Sequence, residues 1–219
     1  MKIALIGSTG FVGRHLRREL LSRGHAVTAI VSSRTAPEPE EGLTIVQADV
    51  YDAGAVADAV RGHDVVLSAF NAGWQNPNLY DDFLRGSDAI VAGTEAGGVR
   101  RLLVIAGAGS LYVAPGVQLV DTPQFADHVP AFVLPGARAA RDALTKVHAN
   151  KTLDWTFLSP PALLEEGERT GEYRLGGNDL LLDGDRPAGI SVPDLAVAAV
   201  DEIETPRHRC ARFTVASKN

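Results

Sequence analysis

Apolar and polar positions fall in blocks along this chain, and the period of the blocks changes from one to the next. Lys2 to Ile6 (KIALI) is a short apolar run ended by Gly7, the pattern of a strand buried on both faces of a parallel sheet. From Phe11 to Arg23 the apolar residues Val12, Leu16, Leu20 and Leu21 recur at helical spacing, with Arg14, Arg17, Arg18 and Glu19 opposite and Gly24 as the stop. The alternation repeats. Ala26 to Val31, Leu43 to Gln47, Asp64 to Ala69, Arg101 to Ala106 and Asp154 to Leu158 read as strands; Asp52 to Arg61, Asp81 to Ala96 and Gly136 to Asn150 read as helices. Six strands with helical crossovers predict an α/β fold, a Rossmann-type doubly wound parallel sheet with right-handed connections. After Ser159-Pro160-Pro161 the pattern loosens into an acidic loop, a short strand at Glu172 to Leu175, a helix opened by Pro193 and Asp194, and a strand from Arg212 to Ala216. These are expected to form a small C-terminal cap, so that 1–219 is a single domain and 159–219 lies over the carboxyl ends of the strands, on the substrate side.

Length and composition narrow the picture. At 219 residues there is no room for a second full-sized domain, and 45% hydrophobic with 22% charged residues is ordinary for a globular protein. A net charge of -6 argues against a nucleic-acid partner, although 17 of the 21 cationic residues are arginine, which leaves room for a local basic patch. A lone cysteine, Cys210, with no leader-like start and no apolar stretch near 18 residues, points to a cytoplasmic chain that does not enter a membrane. A monomer or homodimer is expected.

The chemistry begins at Gly7-Ser8-Thr9-Gly10-Phe11-Val12-Gly13, a G-x-x-G-x-x-G string between the first strand and its helix. Glycines there permit a tight turn, close backbone approach to a pyrophosphate and tight packing of helix on strand, while the helix N-terminus supplies amide donors. After the second strand, NAD-selective chains carry an acidic residue that binds the adenosine ribose. Here the stretch is Val31-Ser32-Ser33-Arg34, and Ser32 with Arg34 suits a 2′-phosphate, with Arg14 positioned to assist. NADP is therefore the expected cofactor, with NAD as the alternative. Asp49 and Val50 are expected beside the adenine and Ser68, Ala69 and Phe70 beside the far ribose and nicotinamide, with Ala106 and Gly107 also expected on the cofactor.

With these residues in view the chain resembles the short-chain dehydrogenase/reductase superfamily, in its atypical NAD(P)-binding branch of NmrA-like and NADH-flavin or biliverdin reductase-like proteins. The resemblance runs through KIALIGSTGFVG, QADVYD, DVVLSAFNAG, RLLVIAGAGSL, LDWTFLSPPALLEEGERTGEYRLG and ISVPDLAVAAVDEIE. Ala106 to Leu111 with APGVQLVDTP and LDWTFLSPP is similar to the NADH-flavin reductases in particular. The departure is instructive. Standard members carry Tyr-x-x-x-Lys, whose lysine-activated phenol moves a proton. None of Tyr51, Tyr80, Tyr112 and Tyr173 has a lysine four residues on, and Lys146 falls about 110° from the centre of the Ala140, Ala143, Leu144, Val147 stripe, facing solvent.

Without that phenol, hydride can still pass to a flavin or quinone, which spreads the charge over a conjugated system and takes its proton from water. Ser110 is the best-placed polar side chain to orient such an acceptor, and in flavin reductase-like relatives a serine here lines the site. Phe70, Asn71, Trp74 and Tyr112 would wall a small planar acceptor, with Asn71 as an amide handle. The expected function is an NAD(P)H-dependent reductase of a flavin, quinone or similar acceptor. A non-catalytic NmrA-type redox sensor is the alternative, and a sugar-nucleotide epimerase-like enzyme a third. No G-x-S-x-G elbow or P-loop occurs, and six scattered histidines with one cysteine give no metal site.

Overall fold

A computed structural model describes residues 1–32 and 36–218. Its frame is one eight-stranded sheet. The strands are β1 (Lys2–Ile6), β2 (Ala26–Val31), β3 (Leu43–Gln47), β4 (Val65–Ser68), β5 (Arg101–Ile105), β6 (Asp154–Ser159), β7 (Tyr173–Gly176) and β8 (Ala211–Ser217). In space they run β3-β2-β1-β4-β5-β6-β8-β7, and only the β7–β8 pair is antiparallel. The strand order reverses between β1 and β4, where Ile6 lies beside Ser68. Such a switch point opens a crevice at the carboxyl ends of the strands. This is a Rossmann-type doubly wound fold.

Among the described residues, α1 (Gly13–Ser22), α2 (Ala53–Val60), α3 (Leu79–Ala96), α5 (Leu134–His148) and α6 (Val192–Glu204) cover the sheet, while the short α4 (Pro123–His128) buries none of its residues. Because side chains alternate along a strand, each strand feeds two cores. Ile3, Leu5, Leu67, Leu103 and Phe213 meet Leu16 and Leu20 of α1 and Leu195 and Ala199 of α6. Ala4, Ile6, Leu102 and Phe157 meet Val56 and Val60 of α2, Ile90 of α3 and Val147 of α5.

The tail differs from its expected arrangement. The stretch from Val192 to Val200 is apolar almost all round, and α6 is accordingly buried on the sheet face beside α1 rather than standing over the strand ends. The apolar run in β8 is inserted in the sheet, pairing Phe213 with Leu158 and Val215 with Leu175. The sheet thus has eight strands, not six. What the tail lends to the carboxyl-end side is a strap and a small hairpin. Leu163–Glu165 pairs with Gly189–Ser191, Leu182–Asp183 pairs with Arg186–Pro187, and the carbonyl of Asn178 accepts the Tyr112 amide at 2.9 Å.

Candidate functional site

The turn after β1 leaves no room for a side chain at its first and last glycines. Gly7 has φ +79°, and a Cβ there would lie 2.5 Å from the Ala69 carbonyl oxygen. A Cβ on Gly13 would lie 1.9 Å from the Gly7 carbonyl oxygen, so the start of α1 rests directly on the turn. The Gly10 amide closes it, donating to Gly7 at 3.0 Å. Thr9, Gly10 and Phe11 form an exposed outer arc, Val12 begins α1 without a side-chain cap, and the buried Ser8 hydroxyl has no hydrogen-bond partner among the described residues. An arc of bare backbone at an uncapped helix N-terminus, set at the switch between β1 and β4, fits a pyrophosphate.

Around this turn the expected residues are partly assembled. Ser32 is exposed beyond β2, and Arg34 lies outside the described residues. Asp49 is exposed, its carboxylate accepting the Tyr51 amide at 3.0 Å, and half-buried Val50 packs on the α2–α3 core. Ala69 touches the turn through its carbonyl, while half-buried Ala106 and Gly107 follow β5. Arg14 is paired with Glu166 and lies 5.4 Å from the Phe11 ring centroid.

The acceptor-side residues diverge further. Ser110 is 1% exposed, its hydroxyl facing Gly107 O at 3.3 Å and Ser159 Oγ at 3.2 Å, so it braces the loop after β5 against the end of β6 instead of presenting a hydroxyl to an acceptor. The Phe70 ring turns inward against Tyr51 and Phe83, with centroids 5.9 and 5.7 Å away, and forms no outer wall. Asn71 is spent on an Asx turn, accepting the Gly73 amide at 2.7 Å. Trp74 is exposed and faces the Gly136 backbone, whose Cβ would meet its ring edge at 3.0 Å. Tyr112 is half-buried with its ring 5.3 Å from the Arg212 guanidinium. Arg212 is the residue missed by sequence reasoning. From β8 it donates to the carbonyls of Ser110 and Asn178 and to Asn178 Oδ1, and burial lowers its pKa. A lone arginine inside the apolar run ARFTVA was its signal.

Similarity to known proteins places the chain in a family. Residues 7–206 match a family described as NAD(P)H-binding. The chain belongs to that family. It is 35% identical to the uncharacterized protein YwnB of Bacillus subtilis (strain 168), over all of this chain and 99% of the other. A candidate epimerase from Bacteroides thetaiotaomicron is 40% identical at a TM-score of 0.89, covering 100% of this chain and 97% of that one. A candidate NADH-flavin reductase from Streptococcus pneumoniae is 32% identical at a TM-score of 0.82, with both chains fully covered. These likenesses agree with the atypical short-chain dehydrogenase/reductase motifs. In this NAD(P)H-binding chain, three of the four phenols hold their protons more firmly than a free tyrosine. Burial raises Tyr51, a hydrogen bond to Asp142 raises Tyr80, and burial with a bond to Asp201 raises Tyr173. Lys146 is half exposed and paired with Asp88 at 2.6 Å. No helix among the described residues is long and apolar enough to cross a membrane.

Proposed function

We propose that the protein is an NADPH-dependent reductase that passes hydride to a small planar conjugated acceptor, a flavin or a quinone. The observation that carries this is the pairing of a backbone cradle for a dinucleotide with a chain in which no tyrosine is followed four residues later by a lysine. An alcohol or sugar substrate needs a proton moved at the reacting oxygen, and no Tyr-x-x-x-Lys is available to move it. A conjugated acceptor does not need it, and the protein is then asked mainly for positioning.

In this scheme the Gly7–Gly13 backbone and the first turn of α1 hold the pyrophosphate, and the Ser8 hydroxyl gains the partner it lacks. Ser32 and Arg34 take the 2′-phosphate, Asp49 and Val50 border the adenine, and the backbone at Ala69, Phe70, Ala106 and Gly107 borders the nicotinamide. The bound reduced cofactor supplies the hydride. Tyr112, oriented by Arg212, and exposed Trp74 are the aromatic surfaces left for an acceptor.

Stopped-flow measurement of NADPH oxidation with FMN, FAD and simple quinones tests this, with saturable turnover of at least one expected. Tight NADPH binding with no turnover of any would overturn it in favour of a dinucleotide-sensing regulator. Replacing Arg34 by Ala should cut the preference for NADPH over NADH roughly tenfold or more, as loss of a charge-assisted contact would.

A further inference from the structure

On the sheet face opposite α1 and α6, a cavity of about 220 Å³ opens between α3 and α5. Its walls are Ile90, Val104, Ala140, Ala143, Val147 and Phe157. The space exists because α5 presents alanines where a well-filled core would carry leucines. At its floor is Ser68, 2% exposed. The Ser68 oxygen accepts a long bond from the Phe70 amide at 3.4 Å, and its proton has no acceptor among the hydrogen bonds of the described residues. At the mouth, Lys146 is paired with Asp88 at 2.6 Å and Asn150 with Glu95 at 2.8 Å.

We propose that this cavity is a second binding site, for a small neutral ring compound bearing one carbonyl that accepts a hydrogen bond from the Ser68 hydroxyl. Three features select that class. The volume is about one and a half times that of an engineered apolar cavity of roughly 150 Å³ that binds benzene, enough for one ring and a short substituent. The buried part of the lining carries no charged group, its charged members Asp88, Glu95 and Lys146 being exposed, so an ion held deep inside would go unpaired. The mouth sets two carboxylates against one ammonium, which disfavours a carboxylate ligand. A buried hydroxyl with an unused proton rewards one acceptor at the floor. Ser68 and Ala106 bring the cavity close to the proposed nicotinamide border, but the rest of its lining comes from α3, α5 and the strands beneath them, and none comes from the glycine turn.

Calorimetric titration of the full chain with acetophenone, and with ethylbenzene as its carbonyl-free counterpart, tests the assignment. Acetophenone should bind at one saturable site, and saturating NADPH should not displace it. Ser68→Ala should weaken acetophenone roughly two- to tenfold and leave ethylbenzene unchanged. Ala143→Leu, and Val104→Phe should the first fail to fold, should abolish binding of both probes. The proposal is overturned if neither probe binds, if Ser68→Ala affects both alike, if a folded cavity-filling variant still binds, or if NADPH competes.

Discussion

The two faces of the sheet draw on the same strands, yet they are closed by different means. On the α1–α6 side, leucines and fixed charges shut the gap. Arg23 bridges Glu19, Asp201 and Glu204 at 2.8, 2.6 and 2.7 Å, Arg169 reaches Glu19 at 2.7 Å, and buried Arg101 meets Glu202 at 3.0 Å. On the other side, helices close by backbone approach: a Cβ on Gly93 would lie 2.5 Å from Val56, which is how α3 nests on α2. Between α3 and α5, small residues leave open space instead. Alternation along a strand specifies which side chains enter each core, but the residues on the helices decide whether that core is filled.

The contrast can be broken most sharply at the buried ion pair. Arg101→Met strands Glu202 without its guanidinium partner and should cost about 3–5 kcal/mol in urea denaturation. Next is Glu19→Gln, with about 1.5–3 kcal/mol lost near neutral pH. Hydrogen bonds from Arg169 are the largest influence on Glu19 and, with Arg23, hold its pKa below 4.5 against the opposing effect of burial. A carboxylate lowered in the folded state contributes stability that is present above 4.5 and is lost as pH falls through the folded value. The stability curves of the wild type and of the Glu19→Gln variant should therefore converge only in acid, and parallel curves there would remove Glu19 from the network.

A matched pair sharpens the contrast. Ala199→Leu, in the filled core, should overpack and cost about 1–3 kcal/mol, whereas Ala143→Leu, in the open one, should gain about 0.5–2 kcal/mol. Equal signs in thermal melts would show that the faces are packed alike. The smallest effect is expected at the exposed Arg61–Asp58 pair at the end of α2, where Arg61→Ala should shift stability by no more than about 0.5 kcal/mol.

Much of the frame was legible because local pattern and final environment coincide. KIALI is apolar from Ile3 to Ile6 and is buried over those four residues. The tail was less legible because its strand pairs with residues more than fifty positions away, and only that pairing distinguishes a sheet member from a cap. Side-chain direction in the loops was not legible at all. Ser110 turns to Ser159 and Arg14 to Glu166, partners 49 and 152 residues distant that no local pattern names. Phe70 turns inward because Gly86 on α3 leaves room for its ring.

The insertion of β8 between β6 and β7 also bears on how the chain is made. During synthesis β6 and β7 emerge well before residue 211, yet β7 pairs only with β8, and β8 fills the edge that β6 offers. Until then the nascent chain carries an unpaired strand edge and a half-covered apolar face, the surfaces that chaperones hold and that aggregates grow from. Closure on this side of the sheet thus waits for residues 211–217. Through Arg212, the same docking step fixes the Ser110 loop beside the cleft.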